Sequence, residues 1–308
     1  MLRGWQTLNL LLRLRNKMSL NLRAMVELLR PHQWVKNGFV LVGVLFSVKW
    51  ISLSDWEHAL LAFVAFCCAA SAIYALNDWK DADADRIHVK KRHRPIASGR
   101  ISKKTAMILG MFLVSLSFAF ATLASVKVLF FVVGYILINA AYTLRLKQEV
   151  VVDVFCIFGG FMMRLLAGTV GIGIQPSRWL LITGMMITLF LGFGKRRAEL
   201  ASAEAGGIAR KSLEKYSLPL LDKFISVCAA GTVITYGLYT VDESTIALHG
   251  TENLIWTMPI VIFGIFRYLY LIHRKGKGED TSKDLFKDLP MLLAAVGWVT
   301  AVAMVSQG

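Results

Sequence analysis

Long apolar runs recur along the chain after residue 37, separated by shorter polar stretches. Their lengths are those of helices that cross a bilayer, which need about 20 mostly apolar residues. The pattern predicts nine such helices, over 38–53, 58–76, 106–124, 126–143, 151–173, 178–194, 223–241, 253–272 and 289–306. The expected fold class is all-α, a polytopic membrane protein with nine transmembrane helices. No internal repeat and no Pro- or Ser-rich linker divides it, so residues 37–308 are read as one membrane domain. Residues 1–36 stand apart. Arg3, Arg13, Arg15, Lys17, Arg23 and Arg30 interleave with leucines there, as in a basic amphipathic helix lying on an anionic inner leaflet. A disordered basic tail is the other reading. The segment lacks the clean apolar core of a cleavable signal peptide.

Composition agrees with the pattern. Of 308 residues, 56% are hydrophobic and only 18% charged, below the roughly one quarter usual in soluble proteins, and the mean hydropathy is +0.56. A net charge of +15 would suggest nucleic acid as the partner of a soluble chain. In a membrane protein the placement of Lys and Arg decides instead, because cytoplasmic loops are enriched in them. Here the basic residues gather before residue 37, between Lys80 and Lys104, at Arg145 and Lys147, from Lys195 to Lys223 and from Arg267 to Lys287. The alternate connections hold only Lys49, Lys127 and Arg178. Nine spans with the N-terminus inside account for that distribution. The expected location is therefore the plasma (inner) membrane, multi-pass, with the lipid bilayer as partner and no nucleic acid. The two long charged loops, 77–105 and 195–222, then face the cytoplasm. Cys67, Cys68, Cys156 and Cys228 all lie in apolar runs without CxxC spacing, which indicates neither a disulfide framework nor a zinc site. Trp56, Trp179 and Trp256 near span ends read as interfacial anchors. The oligomeric state is open, and a homo-oligomer is compatible with the sequence.

The candidate chemistry lies in NDWKDADADRIHVKKRHRPIASG, residues 77–99. Asp78, Asp81 and Asp85 are spaced i, i+3, i+7, which on a helix places three carboxylates on one face; Asp83 falls on another face and is expected to meet water. Like charges at this spacing repel unless a cation sits against them. Oxygen-only ligands select hard divalent cations, and Mg²⁺ is commonly held by one or two carboxylates plus substrate phosphates. The stretch therefore reads as half of a metal–diphosphate site, with Asp78, Asp81 and Asp85 as metal ligands. A solvated acidic helix end neutralised by neighbouring bases is the bland alternative. Lys91, Arg92 and Arg94 follow at once and favour the first reading, since a diphosphate leaving group calls for cationic donors as well as metal. Pro95 and Gly99 turn the chain, and Ser102 is placed to cap the next helix.

Those residues resemble the first aspartate-rich motif of the UbiA superfamily of intramembrane prenyltransferases: Asn77-Asp78-x-x-Asp81-x-x-x-Asp85 followed by Arg94-Pro95-Ile96-x-Ser98-Gly99. The resemblance extends through Tyr142-Thr143-x-x-Leu146-Lys147, Asp153 and Gly160-x-x-x-Arg164, and it implies a UbiA-like bundle with its N-terminus inside. One departure matters. Most members carry a second motif, DxxxD, after the sixth span. This chain has Gly194-Lys195-Arg196-Arg197-Ala198-Glu199-Leu200 there, then Tyr216-Ser217-Leu218-Pro219-x-x-Asp222. With Arg30-Pro31-x-x-Trp34-x-Lys36-Asn37, these segments look like the decaprenyl-phosphate phosphoribosyltransferase branch. That branch transfers 5-phosphoribose from phosphoribosyl diphosphate to a polyprenyl phosphate. Replacing carboxylates by Lys195, Arg196 and Arg197 suits such substrates, which bring more phosphate and call for more fixed positive charge.

The resemblance implies a Mg²⁺-dependent pentosyltransferase. Asp78 and Asp81 are its expected catalytic residues. Lys36, Asn37, Asn77, Lys91, Arg92, Arg94, Tyr142, Lys147, Arg164, Lys195, Arg196, Arg197, Glu199 and Tyr216 are its expected substrate-binding residues. Lys36, Asn37, Tyr142, Lys147 and Tyr216 also suit simple anchoring of helix ends. Arg164 lies inside a span, where a charge marks a functional pocket or a buried partner, and Asp153 is a candidate for that partner. Two other readings compete. An aromatic prenyltransferase of the same superfamily would use a prenyl diphosphate, but the missing DxxxD argues against it. A transporter for an anionic solute would need more ionisable residues within the spans than this chain has.

Overall fold

The computed structural model describes residues 22–45, 52–88, 91–204, 213–274 and 287–305. All regular structure among them is helical. Residues 22–29 form helix α1, and a 3₁₀ segment, Pro31–Val40, follows and passes into a short helix, α2 (Val42–Leu45). The longer helices are α3 (Leu53–Ile87), α4 (Lys103–Ala124), α5 (Val126–Leu144), α6 (Val152–Ala167), α7 (Arg178–Glu204) and α8 (Leu218–Val241). Then come the short α9 (Glu243–His249), α10 (Met258–Arg274) and α11 (Leu289–Val305). Among the described residues, seven helical stretches are long and apolar enough to cross a membrane, and α11 is an apolar helix of 17 residues. The chain is a multi-pass membrane protein.

The first of the nine expected spans is not a straight helix where it is described. Over 38–45 the chain completes the 3₁₀ segment and forms one α-helical turn; residues 46–51 lie outside the described residues, as do residues 1–21 of the basic N-terminal segment and Lys90. Tertiary contacts account for the difference. Trp34 Nε1 donates to Ser71 Oγ at 3.1 Å, which itself donates to the Leu29 carbonyl at 2.9 Å. Asn37, fully buried, donates to Cys67 Sγ at 3.1 Å. Backbone that is not α-helical is tolerated at membrane depth where protein buries it. Two glycines permit the close crossing that buries it: a Cβ on Gly43 would overlap the Gly168 carbonyl, and one on Gly168 the Val40 carbonyl.

Helix α3 organises one half of the bundle, packing chiefly on α4 and also on α5, while α7 and α8 form the heart of the other half. Its alanines at 59, 62, 65, 69, 70, 72 and 75 are buried, and small residues let helix backbones approach closely inside a bilayer. Ser117 of α4 donates to the Ala65 carbonyl across that contact, 2.7 Å. At 1.5 Å per residue, the 35 residues of α3 run about 52 Å. A hydrocarbon core is about 30 Å thick, so part of the helix must lie outside it, and the charged C-terminal turns are the part suited to water. The expected loop from 77 therefore begins as helix and only leaves it after Ile87. Caps follow the sequence: the side chains of Ser102, Ser125 and Ser217 accept from backbone N–H groups in the first turns of α4, α5 and α8. Outward-facing Phe112, Phe130, Leu137, Val227, Ile234 and Phe266 are exposed, a perimeter suited to lipid.

Candidate functional site

The projecting end of α3 carries the aspartates on the face that the i, i+3, i+7 spacing predicts, and each meets a cation. Asp78 is 1% exposed. Its Oδ1 receives Arg30 Nη2 at 2.7 Å and lies 3.2 Å from Arg94 Nη1. The same Arg94 nitrogen donates to Asp85 Oδ2 at 2.7 Å, so one guanidinium bridges two carboxylates two turns apart. Asp81 turns to Lys147, whose Nζ lies 2.7 and 3.0 Å from its two oxygens. Asp83 points to solvent, held only by Arg86 and Lys103 at the surface. Asp78 Oδ2 is buried with no hydrogen-bond partner among the described residues, the arrangement that a buried carboxylate oxygen avoids unless something else is to occupy it. Among the described residues no three His, Cys, Asp or Glu side chains converge as a ready-made metal cage. Two carboxylates joined to substrate phosphates suffice for Mg²⁺, and the all-oxygen set of Asp78 and Asp85 suits that cation.

Arg30 is set in place by the chain before it. It sits at φ 52°, ψ 59°, a left-handed corner between α1 and the 3₁₀ segment, with its guanidinium 5.0 Å over the Tyr74 ring. Arg100 clamps α1 from the other side, donating to Glu27 at 2.6 and 3.0 Å.

A second polar cluster lies where α5, α6 and α7 meet. Arg196, wholly buried, has its Nε 2.6 Å from Asp153 Oδ2. It also pairs with Glu199 and donates to Tyr142 Oη at 3.1 Å. Tyr216 donates to Asp153 Oδ1 at 3.0 Å and accepts from the Val151 N–H at 2.6 Å. Burial pushes the Tyr216 hydroxyl up to about 12, so it remains a donor at neutral pH. Val151 has φ 68° and ψ −46°, a conformation that costs a β-branched residue about 1–3 kcal/mol.

The remaining expected site residues are spread out. Arg164 is buried and turns to neutral partners: Asn37 Oδ1 at 2.7 Å, the Gly160 carbonyl at 2.9 Å and Tyr135 Oη at 3.1 Å. The rings of Tyr135 and Phe161 lie 4.5 and 5.3 Å from its guanidinium carbon. Its expected partner Asp153 is instead engaged by Arg196, a correction that follows from the α7 contact the sequence does not display. Arg197 turns to α8 and α10, with Nε 2.5 Å from Asp222 Oδ1 and Nη1 3.2 Å from the Ile272 carbonyl; His273 joins Asp222 at 3.1 Å. Lys195 is half-buried, 4.0 Å from Glu199. Asn77 and Lys36 are half-buried next to Asp78 and Asn37, Lys91 lies in the turn Lys91–His93, and Arg92 there is exposed. Arg30 and Tyr135 were not among the expected site residues, and Asp153 was expected only as a partner of Arg164. Arg30 and Asp153 lie in the segments that carry the family resemblance, whereas Tyr135 is one aromatic in an apolar run. An apolar cleft of about 360 Å³ between α3, α4 and α5, lined by Ala75, Trp79, Met107 and Gly110 among others, lies on the other side of α3 from Asp78.

Curated relatives share this length and layout. A decaprenyl-phosphate phosphoribosyltransferase of Corynebacterium glutamicum is 35% identical over 288 residues, covering 91% of this chain and 86% of that one. Its counterpart from Mycobacterium tuberculosis is 34% identical over 282 residues, 90% and 92% of the two chains. Among solved structures, a UbiA homolog from Archaeoglobus fulgidus bound to GPP and Mg²⁺ superposes with a TM-score of 0.69 at 19% identity, over 92% of this chain and 100% of that one. Residues 38–295 match the UbiA prenyltransferase family, and the chain belongs to that family.

Proposed function

We propose that this protein transfers 5-phosphoribose from phosphoribosyl diphosphate to the phosphate of a polyprenyl phosphate, releasing diphosphate, with Mg²⁺ at the cytoplasmic face of the plasma membrane. The observation that carries this reading is Asp78: a buried carboxylate with one oxygen held by Arg30 and Arg94 and the other without a hydrogen-bond partner among the described residues, on a helix end ringed by cations. Similarity to phosphoribosyltransferases over nine tenths of the chain supports the choice of substrates. The placement of basic residues supports nine spans with the N-terminus inside.

Asp78, with Asp81 and Asp85 beside it, would hold Mg²⁺. When bound, the metal supplies Lewis-acid stabilisation of the departing diphosphate charge. The chain's own residues do the rest. Arg30, Arg94 and Lys147 bring guanidinium and ammonium donors next to the carboxylates, where a diphosphate would lie. The acceptor phosphate oxygen forms the new bond to the anomeric carbon as the bond to diphosphate breaks. A phosphate monoester is already anionic at neutral pH, so no side chain has to remove a proton. The tail of the acceptor remains in the apolar bundle. Among the described residues of the α7–α8 region, Glu199 and Asp222 are taken up by Arg196 and Arg197, which leaves the donor site with one acidic motif.

Thermal unfolding of the purified protein tests the reading. Phosphoribosyl diphosphate with Mg²⁺ is expected to raise the transition and prenyl diphosphates to leave it in place. Radiolabelled phosphoribosyl diphosphate should then label polyprenyl phosphates. The opposite ranking of ligands would point to an aromatic prenyltransferase and overturn the proposal.

A further inference from the structure

Among the described residues, Arg30 and Val151 are the two non-glycine positions with positive φ. Each lies on a segment that presents a cation to an aspartate of α3. Arg30 is itself on Asp78, and Val151 closes the short α5–α6 connection that carries Lys147, the partner of Asp81. The Val151 conformation, with the Val152 N–H bonded to the Val150 carbonyl at 2.8 Å, is a γ-turn of the rare, strained hand. A β-branched side chain is poorly suited to it, and such backbone persists only where the surroundings fix it.

The fixing groups come from three directions. Tyr216, from the connection before α8, accepts the Val151 N–H and donates to Asp153. Asp153, in the first turn of α6, is paired with Arg196 of α7. Arg196 in turn reaches Tyr142 at the end of α5. Arg196 has no exposed surface, and its guanidinium is surrounded by Asp153, Glu199 and Tyr142. A phosphate could bind it only by displacing a carboxylate from a closed space.

We infer that Tyr216 and Arg196 are positioning residues and not substrate ligands: they hold the strained turn at Val151 and thereby set Lys147 on Asp81. The inference rests on the proposed function in taking Asp81 and Lys147 as part of the donor site. It assigns Arg196, the buried member of the basic run 195–197, a different task from phosphate binding, that of bracing the connection that delivers a cation to the aspartates.

A rescue experiment tests it. Tyr216→Phe keeps the ring and removes both hydrogen bonds. Val151→Gly lets the turn form without strain, since glycine takes positive φ readily. Tyr216→Phe is expected to raise KM for phosphoribosyl diphosphate about tenfold with kcat changed by less than about threefold. Backbone amide exchange over residues 145–153 should quicken in parallel. Val151→Gly in the Tyr216→Phe background should restore most of both. A defect that persists unchanged in the glycine background means that Tyr216 contacts substrate, and it overturns the inference. Amide exchange in 145–153 that is unaltered by Tyr216→Phe overturns it as well, whatever the kinetics. Asp153→Asn, which weakens the same brace while keeping its shape, carries the same rescue test if Tyr216→Phe does not fold. Absence of phosphoribosyl transfer by the wild type would sink the functional reading while leaving the exchange measurements to decide the role of the turn.

Discussion

Lys147 and Asp81 lie 66 residues apart in the chain, yet the lysine ammonium sits 2.7 and 3.0 Å from the two oxygens of the aspartate. The pair ties the α5–α6 connection to the end of α3. Both side chains are partly exposed, so the contact adds no more than about 1 kcal/mol to stability. Lys147→Met should therefore leave the thermal transition nearly in place and raise KM for the phosphoribosyl donor at least about tenfold. A variant that is clearly destabilised yet binds donor normally would show the pair to be structural.

Arg30 offers a sharper test of the metal site. In Arg30→Ala, Asp78 keeps Arg94 but loses its nearer cation, and a nearly buried carboxylate is left undercompensated. Mg²⁺ without substrate should then stabilise Arg30→Ala more than wild type, because a ligand that binds only the folded state stabilises according to its affinity. Melting curves in chelator and in millimolar Mg²⁺ measure the difference. Equal shifts in the two proteins would remove Asp78 from the metal site.

Arg164 holds the 3₁₀ segment by way of Asn37, 127 residues away in sequence. A lysine keeps the charge but cannot present a planar fork to Asn37, the Gly160 carbonyl and Tyr135 together. Arg164→Lys should lose about 1–3 kcal/mol, at least half the loss of Arg164→Met, in urea or thermal unfolding. In a double-mutant cycle with Asn37→Ala, a coupling of about 1 kcal/mol is expected; no coupling would mean that the segment is held elsewhere.

His249 makes stability depend on pH. It is buried at the end of α9, within 3.0 Å of Tyr239 Oη, and burial lowers its pKa below the usual value of 6.5. The unfolded chain then binds the proton more readily than the folded one, so stability is complete above about pH 6.5 and falls as pH drops toward the folded-state value. His249→Gln should flatten the melting temperature between pH 7 and 5. An unchanged slope would assign that loss to other groups.

Much of the site was readable because the helical period is local: Asp78, Asp81 and Asp85 fall on one face and Asp83 on another whatever the rest of the chain does. The membrane class followed equally from the apolar runs. The backbone of residues 38–45, within the first expected span, was not legible because hydropathy records how apolar a stretch is, whereas its course here is decided by Asn37 meeting Cys67 and Arg164. Arg196 shows the same limit from the other side. Its charge was plain, but its Asp153 partner comes from another helix, so phosphate and a buried carboxylate could not be told apart by sequence. Arg30 was legible as a basic residue before Pro31, and only its left-handed corner turns it toward Asp78.

The length of α3 has one further consequence. The alanine seam that fixes this helix among its neighbours and the carboxylates at its end belong to a single rigid rod, so the seam acts as a depth gauge. Under the proposed function it would set the height at which a water-soluble donor and a lipid-borne acceptor meet, about two turns beyond Ala75.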